Sequence, residues 1–188
     1  MATREDRRSG AETRAEILRV ALRLFIEKGY EGTSTRDIST ALGITKSALY
    51  YHFPSKEAIV TSLLTERRKE LAELVEWIRA QPASPDLLRR AALRWIDGTT
   101  PERLDGMRLM HANGPVLRNL LNDGTDVRSE FEQVVDLLVP GDATPADRLL
   151  VRMAFDTVGA ALLSAQRTDA SREDVLAAAR RATIALTG

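Results

Sequence analysis

The sequence predicts an all-α protein of about nine helices. Three observations point there. Apolar residues recur at i, i+3 and i+4 along most of the chain. No alternating apolar and polar segment of strand length stands out. Gly, Pro and capping residues cut the chain into pieces of helix length. The division that follows is an N-terminal three-helix unit over residues 1–56 and a larger helical unit over residues 57–188.

The first helix is expected from about Thr13 to Lys28. Thr13-x-x-Glu16 is a possible capping box, and Ile17, Leu18, Ala21, Leu22, Leu24 and Phe25 make the apolar stripe before Gly29. Ser34-x-x-Asp37 opens a second helix with Ile38, Ala41 and Leu42 on its apolar face. Gly43 supplies a corner that needs a residue tolerant of positive φ. Thr45 caps a third helix carrying Lys46, Ser47, Ala48, Tyr50, Tyr51 and His52. Pro54-Ser55 restarts the chain. A long helix over residues 56–79 follows, striped by Ile59, Val60, Leu63, Leu64, Leu71, Leu74, Val75 and Ile78.

Pro82-Ala83-Ser84-Pro85 is the clearest break in the second half. A helix over about 86–97 then turns Leu87, Leu88, Ala91, Ala92, Trp95 and Ile96 inward, and Pro101 opens a short helix to about Met110. After Asn113-Gly114-Pro115 the apolar positions stay in phase across Asp123-Gly124, which favours one kinked helix to about Leu138 over two. Thr144-Pro145-x-Asp147 and Ser171-x-x-Asp174 start the last two helices. Residues 148–166 are apolar over more than one face. That helix is either central to the core or packed on its own domain and on a partner subunit.

Composition narrows the chemistry. No run approaches the ~20 apolar residues that span a bilayer. The start, MATREDRRSG, has no apolar stretch behind it and does not read as a secretory signal, so a cytoplasmic location without membrane contact is expected. Cysteine is absent, which removes disulfides, thiolate nucleophiles and Cys-based metal sites. Net charge is zero, yet residues 1–56 hold 10 Lys and Arg against 7 Asp and Glu, while residues 57–188 hold 17 against 20. The basic excess, though small, lies with the two short helices.

Two short helices around one glycine corner form a helix-turn-helix. Its outward face of small, hydroxylic and aromatic residues suits a DNA major groove, and Lys46, Tyr50 and His52 can donate to phosphate. The plain alternative is a solvated corner of a helical domain. No His/Cys/carboxylate cluster has metal-ligand spacing, no Gly-rich phosphate loop or G-x-S-x-G elbow occurs, and no acid/base pair is marked. Neither a catalytic site nor a cofactor is therefore expected. A pocket for a small molecule is expected among the fifth to eighth helices. Its candidates are Trp95, Met107, Met110, His111, Phe131, Met153 and Phe155, each with core packing as the alternative.

The run ILRVALRLFIEKGYEGTSTRDISTALGITKSALYYHFPSKEAI resembles the TetR family of bacterial transcriptional regulators. Helix phase, Gly29, Gly32, Gly43, Leu49-Tyr50, His52-Phe53 and Ser55-Lys56 carry the resemblance together, over about the first third of the chain. It implies a homodimer that binds a palindromic double-stranded operator, and a helical ligand-binding and dimerisation domain after the reading head. It also implies a small-molecule effector that moves the fourth helix and releases DNA, which would make the chain a repressor. Carried over position by position, the DNA contacts are Thr35, Arg36, Thr45, Lys46, Ser47, Tyr50, Tyr51, His52 and Lys56. Lys56 resembles a phosphate clamp, while Leu49 and Phe53 resemble packing residues. The two C-terminal helices are the expected dimer interface. The alternatives are a regulator that needs no ligand, an activator, or a helical small-molecule enzyme or carrier with an accessory helix-turn-helix.

Overall fold

The computed structural model describes residues 4–112 and 127–188. Among them are nine helices and no strand: α1 (Arg4–Lys28), α2 (Thr35–Leu42), α3 (Lys46–His52), α4 (Lys56–Arg79), α5 (Leu87–Asp97), α6 (Pro101–Ala112), α7 (Val127–Leu138), α8 (Pro145–Ser164) and α9 (Arg172–Leu186). The described residues form two compact units, one of 4–66 with 105–112 and the other of 67–104 with 127–188. No helix among them is long and apolar enough to cross a membrane.

The first unit closes α1, α2 and α3 over the start of α4. Ile17, Ala21 and Phe25 of α1 meet Ile38 of α2, Leu49 of α3, Phe53 and Ile59, all essentially without solvent exposure. Burying a side chain of that size stabilises by about 1.5–3 kcal/mol, so this small core holds the two short helices in place. Isolated helices of seven or eight residues have too few hydrogen bonds to persist in water.

In the second unit, Leu71, Leu74 and Ile78 of α4 pack with Ala91, Ala92 and Trp95 of α5, Val134 and Val135 of α7, and Val151 and Phe155 of α8. α9 lies along α8, and a buried hydroxyl pair joins them. Thr183 Oγ1 donates to the Ala154 carbonyl at 3.0 Å and sits 2.9 Å from Thr157 Oγ1. Thr144 and Ser171 cap α8 and α9, and each accepts from the backbone N–H of the aspartate three residues on.

Two sequence expectations change. α1 begins at Arg4, so Thr13 and Glu16 lie inside a helix and form no capping box. The stretch before Thr13 is rich in helix formers, and its single Gly10 is tolerated within the ladder. Ala41 is exposed, because α2 is so short that Ile38, Ser39 and the half-buried Leu42 make its inner edge. On α8 only one face is covered: Val151, Ala154, Phe155, Val158 and Leu162 are buried, whereas Leu149, Met153 and Leu163 are more than half exposed. The kinked helix expected through Asp123-Gly124 lies, before Val127, outside the described residues.

Candidate nucleic-acid interface

The geometry of the helix-turn-helix starts with its caps. Ser34 Oγ accepts from the Asp37 backbone N–H at 3.1 Å, and Asp37 Oδ2 accepts from the Ser34 backbone N–H at 2.9 Å. The Ser34 hydroxyl and then its backbone N–H hold the Asp37 carboxyl below the usual carboxylate range. Gly43 ends α2 at φ +65°, in the left-handed region that L side chains avoid, and its N–H returns to the Ser39 and Thr40 carbonyls. Thr45 Oγ1 then accepts from the Ala48 backbone N–H at 3.1 Å and opens α3.

Several of the expected DNA contacts converge on one face. Thr35 Oγ1 at the start of α2 lies 3.4 Å from the Tyr50 hydroxyl on α3, and the Lys46 ammonium sits 5.5 Å from the Tyr50 ring centre. Thr45 and Ser47 hydroxyls are 2.9 Å apart. Arg36, Lys46, Ser47 and Tyr50 are exposed, and Tyr51 is 86% exposed. A tyrosine so bare on a folded helix contributes little to that helix's own packing. His52 is half-buried, with its ring edge-on to Tyr51 at 5.2 Å.

Lys56, also among the expected DNA contacts, is bonded to backbone carbonyls. Its Nζ donates to the Tyr30 carbonyl at 2.8 Å and the Thr33 carbonyl at 3.1 Å, and lies 4.0 Å from the Tyr30 ring centre. It ties α4 to the α1–α2 connection. Around it, Tyr30 donates through its hydroxyl to Glu57 Oε1 at 2.9 Å. Burial, then the bond to Glu57, push the Tyr30 phenol well above the tyrosine range, so it remains a donor. Thr33 Oγ1, itself buried, lies 2.9 Å from the Gly29 carbonyl and 3.1 Å from that of Leu24.

A further cation escaped the sequence reading. Arg14 of α1 donates through Nη1 to the His52 carbonyl at the end of α3 and through Nη2 to Ser62 Oγ of α4, each at 2.8 Å. Its guanidinium also covers the Phe53 ring at 4.1 Å. A backbone carbonyl as target leaves no trace in residue identity. The only available signal was an arginine placed one turn before Ile17 and Leu18, beside the buried stripe.

The residues expected around a small-molecule pocket scatter. Trp95 and Phe155 are buried in the core of the second unit, where Phe131 meets Phe155 edge-on at 5.6 Å. Met153 is 54% exposed on the outer side of α8. Met107, Met110 and His111 belong to the first unit, in which Met110 packs against the core and His111 is exposed. Beside Trp95 the sequence reading missed Arg103, whose buried guanidinium stacks 3.6 Å from the indole centre and lies 3.5 Å from Glu70.

Residues 17–63 match the family described as bacterial regulatory proteins, tetR family. The chain is 33% identical over 101 residues to the HTH-type transcriptional regulator AcrR of Shigella flexneri, covering 53% of this chain and 47% of AcrR. It is 40% identical over 92 residues to the HTH-type transcriptional repressor KstR2 of Rhodococcus jostii, covering 49% of this chain and 43% of KstR2. The chain thus spans just under half the length of these curated relatives. The solved ketosteroid transcriptional regulator KstR2 of Mycobacterium tuberculosis shares its fold, with a TM-score of 0.71 at 21% identity over 94% of this chain and 93% of that one. The matched segment coincides with the capped helices, the Gly43 corner and the α4 start described above, and over residues 17–63 the chain is similar to the tetR family of bacterial regulatory proteins.

Proposed function

We propose that the chain is a dimeric, ligand-responsive transcriptional regulator, a repressor that leaves a palindromic operator when a small molecule binds. The observation that carries the reading is the outward face of the α2–α3 corner. Thr35, Lys46, Ser47, Tyr50 and the bare Tyr51 gather donors and rings on one surface, over a core that fixes the backbone beneath them. Lys46 is a flexible point charge suited to phosphate. Tyr50 and Tyr51 pair an apolar ring with a polar tip at the groove edge. Lys56 holds the chain just before Ser34 and Thr35 through the Tyr30 and Thr33 carbonyls.

The dimer reading rests on α8 and α9. They form a shallow groove lined by Met153, Ala160, Ala161, Ala178, Ala182 and Leu186, with Leu163 and Ile184 also exposed. Small residues allow close helix approach, and large ones interlock across a two-fold axis. A two-fold pair presents two copies of α3 about 34–36 Å apart, one turn of B-DNA. The effector site is assigned to the second unit, around Trp95, Phe131 and Phe155. Arg103 and Glu70 there add polar groups that could orient a ligand.

Selection from a random duplex pool tests the reading. An inverted repeat is the expected product. An enriched single half-site, or no enrichment, counts against a paired DNA reader.

A further inference from the structure

We infer that Arg14 is a positioning residue for DNA recognition: its guanidinium clamps the C-terminal end of α3 to α1 and α4 and fixes the pitch at which α3 meets the groove. The inference rests on the DNA-binding reading above and concerns a residue outside the interface.

α3 is seven residues long, and its last turn leaves carbonyls without an intrahelical donor. Phe53 closes one of these through its N–H to the Leu49 carbonyl at 2.9 Å. The His52 carbonyl is taken by Arg14 Nη1. A cation at a helix C-terminus also opposes the negative end of the helix dipole. The same planar fork reaches Ser62 on α4 and lies 4.1 Å from the ring centre of Phe53, which is 2% exposed. One side chain therefore touches the end of the recognition helix, the core residue after it and the following helix. Arginine suits this task because its donors are fixed in one plane. A lysine's donors all leave one nitrogen, whereas Arg14 meets the His52 carbonyl and Ser62 Oγ through two separate nitrogens held in one plane.

The position also bears on control. Ser62 lies on the stretch of α4 that belongs to the first unit. A displacement of α4 there pulls on the same guanidinium that holds the His52 carbonyl. Arg14 thus gives α3 a mechanical link to α4, additional to the shared core.

The test compares the unmodified full-length chain with Arg14→Lys, Arg14→Ala and the milder Ser62→Ala. The readouts are operator affinity across salt, affinity for an unrelated duplex, and amide hydrogen exchange without DNA. Arg14→Lys and Arg14→Ala should each lose about tenfold or more in operator affinity, the worth of a hydrogen bond from a charged donor. Affinity for the unrelated duplex and the salt slope should stay unchanged. Exchange at the Leu49 and Phe53 amides should rise while that at Ile38 in α2 stays slow. Ser62→Ala should show a smaller loss of the same kind.

Three results would overturn the inference. A salt slope lowered by about one unit per subunit makes Arg14 a phosphate contact. Full rescue by Arg14→Lys makes its charge sufficient. A parallel loss of protection in α2 and α3 makes it a general stabiliser. Exchange separates this inference from the reading beneath it. If the chain selects no duplex yet Arg14→Lys loosens α3 alone, the DNA reading falls and the clamp stands. If the chain selects an operator and the variants bind it equally, the clamp falls and the reading stands.

Discussion

Lys46 and Lys56 are ten residues apart in sequence and differ in what they touch. The Lys46 ammonium lies 5.5 Å from the Tyr50 ring centre and is exposed. Lys46→Ala should therefore weaken DNA binding and lower the salt slope by about one unit per subunit, with the melting temperature unchanged. Lys56→Ala removes two bonds to backbone carbonyls and should cost about 1–3 kcal/mol of stability, seen as a lower melting temperature. A Lys56→Ala protein of unchanged stability with a reduced salt slope would return that lysine to the phosphate backbone. Gly32 gives a third test. A Cβ there would stand 2.3 Å from the Lys28 carbonyl oxygen, a backbone atom that cannot step aside. Gly32→Ala should destabilise by about 1–3 kcal/mol in thermal unfolding, with the damage centred on the α1–α2 connection.

The helix starts were legible because a cap is a local event. Ser34, Thr144 and Ser171 each sit three residues before an aspartate, and all three pairs close reciprocally. Thr13 and Glu16 have similar spacing but are overridden by the good helix formers ahead of them. The clamps of Arg14 and Lys56 were not legible, since both end on carbonyls that every residue carries. The exposure of the ligand candidates was not legible for another reason: Trp95, Phe155 and Met153 look alike as apolar positions, and only packing separates the buried from the bare.

The caps also make a pH prediction. Asp37, Asp147 and Asp174 are held below the usual carboxylate range, in each case first by the cap hydroxyl and then by the cap backbone N–H. Depressed folded values mean that their contribution is complete above the ordinary aspartate value of ~3.9 and fades as pH falls through the lower folded values. Chemical denaturation should give a flat midpoint from pH 7 to about 5 and a decline below about 4. Replacing Ser34, Thr144 or Ser171 by Ala should cost about 1 kcal/mol each at neutral pH and soften that acid decline.

At the scale of the whole molecule, the exposed side of α8 and α9 decides the quaternary prediction. Leu163 is 53% exposed, so Leu163→Glu in a lone 20.8 kDa subunit would alter stability by no more than about 0.5 kcal/mol. In a two-fold helical bundle it places paired unneutralised charges in an interface of this class, which buries above ~2,000 Å². Sedimentation at low micromolar concentration should find the unmodified chain as a dimer and Leu163→Glu as a folded monomer. An unmodified chain that sediments as a monomer sinks both the interface and the paired-groove mechanism.

The hydroxyl pair between α8 and α9 has its own consequence. Thr183 Oγ1 donates to the Ala154 carbonyl at 3.0 Å, Thr157 Oγ1 reaches the same carbonyl at 3.5 Å, and the two hydroxyls lie 2.9 Å apart. Thr183→Val removes the shorter bond to that carbonyl and the hydroxyl pair, leaves Thr157 its 3.5 Å contact, and should cost about 1 kcal/mol. Thr157→Val should cost less, and the double Val variant less than the sum of the two. The pair works as an index pin: sliding α9 by one turn would part the hydroxyls and bury them against hydrocarbon. Alignment is thereby set on the inner side of the helices, independently of the residues outside. Sequence drift on the outer side can then change which chains assemble with which, while the spacing between helices is inherited unchanged.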